Sequence, residues 1–301
     1  QRYNRFQFHK FRWKVHHGYK FNVYFPEDAA DSVYRFVLKV TPEIITRIKK
    51  ATISDIPKNI NIVVYPSIDQ MYETNIGGYK NVKYTIPTFV FNGTRVVVAY
   101  NGSFEDLRKQ LAEGFSRALW DSQLKEGEKE GNSDNTNIPK LSPRKSDNIP
   151  FWFREGAIRY FAHGWTIEAE DNIKSIFRNN TFLDWREVLS HSPRLGGQAF
   201  CYFLAQNYYH TAVSQTFFQI KKRKSLSRAV RLITKHSLDT LFSHCLLYYN
   251  TRLGSSSHKE TLGKTLRIPH RKGIVSNVLL NAQSDFVAYV SLSKNTRAVN
   301  I

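Results

Sequence analysis

Three observations predict an α+β fold. Period-two apolar runs dominate the first hundred residues, four-residue apolar repeats extend from 103 to 249, and short β-type runs return after 273. The opening stretch, Gln1 to Tyr19, is aromatic and basic. Tyr19–Phe25 alternates like a strand. Residues 28–52 predict a long amphipathic helix, because Val33, Phe36, Val37, Val40, Ile44 and Ile48 fall on one stripe. Asn59–Pro66 is a short apolar strand. Thr88–Tyr100 places Asn92-Gly93 between two β-rich runs, a hairpin signal.

At Ser103 the period changes. Ser103 is a candidate N-cap with Asp106 three residues later, and Leu107, Leu111, Phe115 and Leu119 repeat every four. Gln123 to Ile149 is polar and reads as a surface loop. A helix is expected over 150–165, opened by Pro150. Helical patterns follow at 166–178, 184–191, 196–210, 211–223, 225–235 and 237–249. Gly254–Lys264 is a linker by composition. Residues 273–280, 285–291 and 296–301 read as strands. The expected organisation is an N-terminal α/β part over 1–102, a helical part over 103–250, a linker over 251–268 and a β segment over 269–301.

The chain carries 44 basic and 25 acidic side chains, for a formal charge of +19. The excess is uneven. Residues 1–187 hold a net +6, and residues 188–301 hold +13. Such a surface favours anionic partners, with Lys221, Lys222, Arg223, Lys224, Arg228 and Arg231 as the candidate contact residues. The rest of the composition, 41% hydrophobic and 14% aromatic, excludes a disordered basic chain. No segment reaches the ~20 apolar residues of a membrane helix. Nucleic acid is the disfavoured anion, because no recognition-helix signature or aromatic RNA-binding run is present. The chain opens on Gln1 rather than Met, as a processed or trimmed chain does. Cys201 and Cys245 fit either two buried small hydrophobes or a single disulfide.

Several catalytic signatures are missing. Leu262–Thr265 lacks the upstream glycine of a phosphate-binding loop, having His258 there, and no GxSxG is present. No histidine has a histidine partner four residues on, so there is no metal-ligand pair on one helix face. What remains is a constellation of two helices. "LRKQLAEGFSRALW" (107–120) carries Glu113, and after the polar loop "PFWFREGAIRYF" (150–161) carries Glu155.

This arrangement resembles the gluzincin (thermolysin-like, peptidase-MA-like) metallopeptidases, in which one helix carries HExxH and a later helix carries a Glu in a W-x-x-E-G context. The HExxH frame falls on Ala112-Glu113-Gly114-Phe115-Ser116. The resemblance implies that Glu113 stands at the general-base position and Glu155 at the third zinc-ligand position. Ala112 and Ser116 stand where the two histidines would be. Alanine has no donor atom and a serine hydroxyl is a poor zinc ligand, so the zinc is expected to be lost and no metal is expected. His163 lies about 12 Å along a helix from Glu155 by the ~1.5 Å rise, too far to share a metal with it.

The resemblance extends to "TRVVVAY" (94–100), which matches the cleft-lining edge strand of that family. It also covers "GGQAFCYFLAQNYY" (196–209) and the closing helix pair over 225–249. The β segment 274–301 is similar to the first blade of the TolB-like β-propeller that follows such domains in exported bacterial proteins. The implied function is a catalytically inactive pseudopeptidase domain. It would act as a scaffold or protein-binding module in the periplasm or at the outer membrane of a Gram-negative bacterium. An extended peptide could still add to the ancestral cleft as a strand. Two alternatives stay open: a basic protein that binds nucleic acid or an anionic surface, and an active zinc peptidase with non-standard ligands. If Glu113 and Glu155 carry no such role, they are ordinary carboxylates on helix surfaces.

Overall fold

The computed structural model describes residues 11–18, 20–27, 29–52, 54–57, 59–73, 89–91, 94–125, 149–223, 225–254, 274–280, 287–293 and 296–300. The Asn92-Gly93 turn, most of the polar loop over 123–149, Lys224 and most of the 251–268 linker lie outside the described residues. The chain divides into two units, 1–254 and 255–301. The class is α+β, as the sequence predicts.

The first unit opens with β1 (Trp13–His17) and β2 (Phe21–Pro26), followed by α1 (Asp31–Thr52), β3 (Ile60–Tyr65) and α2 (Ile68–Glu73). β4 (Phe89–Phe91) and β5 (Arg95–Ala99) complete a five-stranded sheet in the order β1-β2-β3-β5-β4. β2 and β3 run parallel, as do β3 and β5, while β1 and β4 pair antiparallel at the two edges. The β2–α1–β3 passage is thus a parallel crossover whose helix returns across the sheet. Val33, Val37, Val40, Ile44 and Ile48 of α1 are buried in the same core as Val23, Ile60, Ile62, Val64, Val96 and Val98 of the sheet. Phe36 of the expected stripe lies half-buried at its border, with its ring 4.8 Å from Phe104.

One expectation is corrected here. The "TRVVVAY" run is not an edge strand: β5 pairs with β3 on one side and β4 on the other. Val96, Val97, Val98 and Ala99 are all buried, as an interior strand covered on both faces requires. Among the described residues, the edge on that side is the three-residue β4.

The helical part follows as α3 (Phe104–Lys125), α4 (Phe151–His163), α5 (Ile167–Asn179), α6 (Trp185–His191), α7 (Pro193–Asn207), α8 (Ala212–Arg223), α9 (Leu226–Thr234) and α10 (Leu238–Gly254). Its starts are capped as polar side chains dictate. Ser103, Thr166, Asp184 and Ser225 accept backbone N–H groups in the first turns of α3, α5, α6 and α9. A second core forms among these helices. In it Trp120 stacks on Phe217 with centroids 4.4 Å apart, and Trp185 stacks on Tyr249 at 5.2 Å. Phe153 and Phe161 are buried in this core, and Trp152 and Tyr160 pack against it.

Cys201 and Cys245 are buried free thiols, and burial pushes both thiol pKa values well up. They behave as small core hydrophobes. Among the described residues, no helix is long and apolar enough to cross a membrane. In the second unit, β6 (Ile274–Leu280), β7 (Val287–Ser293) and β8 (Thr296–Asn300) form an antiparallel sheet in sequence order.

Candidate functional site

The site is built on α3, α4 and α7. Gln110 fixes α3 to the sheet. Its buried amide accepts from Ala99 N–H at 2.9 Å and donates to Ala99 C=O at 2.8 Å. This satisfies a strand end that would otherwise be buried without partners. The Leu107, Leu111, Phe115 and Leu119 stripe is fully buried, which sets the rotation of the helix. α4 crosses α7 at two glycines. A Cβ added to Gly156 would lie 2.2 Å from the Gly197 carbonyl carbon, and one added to Gly197 would lie 2.1 Å from Trp152 O. The two backbones touch, and only glycine permits it. This close approach fixes where Glu155, one residue before Gly156, is presented.

Glu113 and Glu155 are both buried, so neither is an ordinary surface carboxylate. Each is held by a cationic or polar partner from the chain itself. Arg117, one residue beyond the HExxH frame, makes a two-pronged ion pair with Glu155: Nη1 donates to Oε1 at 2.8 Å and Nη2 to Oε2 at 2.5 Å. Arg194 of α7 and Arg154 approach the same carboxylate at 3.4 and 3.5 Å. Glu113 Oε1 lies 3.2 Å from His163 Nε2. Glu113 also feels the charges of Arg117 and Arg159. The sequence places His163 too far from Glu155 to share a metal. The structure directs it instead across to Glu113 on α3.

Ala112 and Ser116, which the resemblance would put at the two histidine positions, are buried, and Ser116 Oγ has no hydrogen-bond partner among the described residues. The donor set does not fit a tightly held zinc. One position has no donor atom, one has a hydroxyl, and both oxygens of Glu155 are committed to a guanidinium. Among the described residues, no group of three or more His, Cys, Asp or Glu side chains could hold a metal ion.

Burial by itself raises the pKa of both carboxyls. For Glu155, the Arg117 hydrogen bonds and the charges of Arg117, Arg194 and Arg154 outweigh it and hold the group below the usual carboxylate range. For Glu113, the His163 hydrogen bond and the surrounding cations do the same. A carboxylate with a depressed folded-state pKa adds stability above its unfolded value, and that stability is lost as pH falls through the folded value. Thermal melts should therefore hold steady down to about pH 5 and drop below about pH 4, around the unfolded carboxylate value. Glu155→Gln should flatten part of that acid drop, which a pH series of melts on the two proteins measures.

Beside Ala112 and Glu113 lies a cavity of about 150 Å³ between α1, α3, α4, α5 and α7. His163, Arg159 and Gln198 line it. Arg159 and Gln198 do not stand out in the sequence as site residues, and His163 does so only as a rejected metal ligand. A signal existed for two of the cations: Glu113–Arg117 and Glu155–Arg159 are each four apart with the acid first, the favourable order on a helix. Arg194 and Gln198 give no local signal, because only the α4–α7 crossing brings them in.

The proposed anion-contact residues lie elsewhere, on α8 and α9. Lys222, Arg223, Arg228 and Arg231 are exposed. Lys222 Nζ lies 4.5 Å from the Phe218 ring centroid, and Lys221 donates to Gln123 Oε1 at 3.3 Å. Lys224 of the same run lies outside the described residues. Compared with models of known protein families the chain matches none, and no curated protein matches it significantly.

Proposed function

We propose that residues 1–254 form a gluzincin-like metallopeptidase domain that has lost its chemistry and serves as a scaffold or peptide-binding module in the bacterial cell envelope. The observation that carries this reading is the Arg117–Glu155 pair. The carboxylate at the third-ligand position is buried, and a guanidinium engages both of its oxygens. In the HExxH frame of the resemblance, Ala112 and Ser116 stand at the two histidine positions. A zinc hydrolase needs three protein ligands and an open water position, and this constellation supplies neither. Glu113 hydrogen-bonds His163 rather than standing free to take a proton from water.

Strand addition suits such a domain, on the side of β4 that pairs with no described strand or along β1, all five residues of which are exposed. The 274–300 sheet fits the opening blade of a propeller, and the exposed cations of α8 and α9 suit an acidic envelope partner.

The test is metal analysis and a casein-cleavage assay on purified protein. No stoichiometric zinc and no cleavage are expected. Stoichiometric zinc together with peptidase activity would overturn the reading. Rebuilding the site sharpens it. The Ala112→His/Ser116→His double variant should bind zinc weakly, because Arg117 still holds Glu155. Adding Arg117→Gln should raise zinc affinity by at least about tenfold, the effect usual for a group that positions a metal ligand. Equal affinity for the two variants would show that Glu155 does not face residues 112 and 116.

A further inference from the structure

The cavity beside Ala112 has a charge pattern that the lost zinc chemistry does not explain. Arg47, Arg108, Lys109 and Arg159 line it, against Glu105, Glu113 and Glu168. Three of the four cations are committed. Lys109 Nζ donates to Glu168 at 2.9 Å, Arg108 pairs with Glu43 at 3.3 Å, and Arg47 donates to the Ala162 carbonyl. Arg159 is different. It makes no hydrogen bond or ion pair with the described residues, its Nε is buried without a partner, and its charge acts on Glu113 and Glu168 only at longer range.

Gln198 is the second uncommitted group. It is 1% exposed, and its Nε2 donates to the Gly164 carbonyl at 2.8 Å. That bond fixes the amide, leaving Oε1 as a buried acceptor with no donor among the described residues. A buried acceptor left this way is destabilising, and a ligand donor would recover the loss. The first turn of α5, with Thr166 and Ala169 at the wall, adds the positive end of a helix dipole.

A ligand that satisfies both groups brings an oxyanion for Arg159 and an N–H for Gln198. One uncommitted guanidinium facing three wall carboxylates suits a monoanion better than a phosphate dianion. A space of about 150 Å³ holds one group of about benzene size. A terminal carboxylate with its own amide N–H on the same Cα meets all of these conditions. We propose that this cavity captures the C-terminal residue of a peptide chain, with Arg159 on the carboxylate and Gln198 Oε1 accepting from the last amide N–H. The peptide-binding reading above supplies the class of ligand, and the cavity supplies the chemistry.

The test uses the full chain and acetylated tetra-alanine with a free carboxylate, followed by chemical-shift changes in an NMR titration. Saturable binding is expected, at least about tenfold weaker for the same peptide with a C-terminal amide, since a charge-assisted hydrogen bond is lost. Arg159→Gln and Gln198→Leu should each weaken the free acid by about tenfold, with thermal melts reporting that the variants are folded. No binding, equal binding of acid and amide, or tighter binding of inorganic phosphate would overturn the proposal. The acid-to-amide comparison needs no variant and decides even if both substitutions unfold the chain. Zinc content measured on the same sample separates the two failures: a zinc-free protein that ignores the peptide loses this proposal but keeps the pseudopeptidase reading.

Discussion

Arg117→Ala is expected to destabilise the first unit by about 3 kcal/mol, lowering its melting temperature by about 6–12 °C. The substitution removes both hydrogen bonds from a carboxylate that is 2% exposed, while leaving its charge in place. An uncompensated buried charge is the costly outcome, and about 3–5 kcal/mol is typical when one partner of a buried pair is deleted. Arg194 at 3.4 Å and Arg154 at 3.5 Å keep the figure at the low end of that range. Replacing both partners by apolar residues of similar size, as in Arg117→Met with Glu155→Leu, should recover most of the loss. Differential scanning calorimetry on the single and double variants measures this. A single variant that melts with the wild type would mean that the pair is solvated and contributes little.

Gly197→Ala is expected to have an effect of comparable size. The added methyl would sit 2.1 Å from the Trp152 carbonyl oxygen, and the one on Gly156→Ala 2.2 Å from a backbone carbon. Neither obstacle is a flexible side chain, so α4 and α7 must separate. Overpacking of this kind costs about 1–3 kcal/mol and sometimes more. Separation would also open the packing of Trp152 on Phe200, whose rings lie 5.4 Å apart. The expected result is a melting temperature lowered by about 6 °C or more, or poor soluble yield. By contrast, Gly196→Ala meets only Leu189 and Val188 atoms at 3.2–3.4 Å, a tight but adjustable contact, and should be milder. Soluble yield and melting temperature of the three variants, measured side by side, check the order.

These two sites also show what the sequence could carry. The glycine of "WFREG" is read as part of a motif around Glu155, yet its physical reason is a partner glycine on another helix. No local pattern reports that. The same limit applies to Arg194 and Gln198, which reach the site only through the crossing. Local periodicity did better: the Val33–Ile48 and Leu107–Leu119 stripes are the buried faces of α1 and α3.

β1 carries only a weak signal in the sequence: Trp13-Lys14-Val15-His16 alternates over just four residues, inside a stretch dominated by aromatic and basic side chains. α2, at six residues, is too short for a helical period. The sequence itself carries a counter-signal to an edge position for β5. Val96-Val97-Val98-Ala99 is a continuous apolar run, the mark of a strand covered on both faces, whereas a half-exposed edge alternates.

The guanidinium on Glu155 also changes how this part of the fold depends on its surroundings. A metalloprotein region is stabilised by mass action, so its folded fraction rises and falls with the free metal concentration. Arg117 is covalently part of the chain and is present at one copy per carboxylate under every condition. It cannot be chelated, exchanged for a competing ion or diluted away. Its stabilisation responds to pH, through Glu155, and not to metal supply. A domain built this way keeps its shape whether free zinc is scarce or abundant.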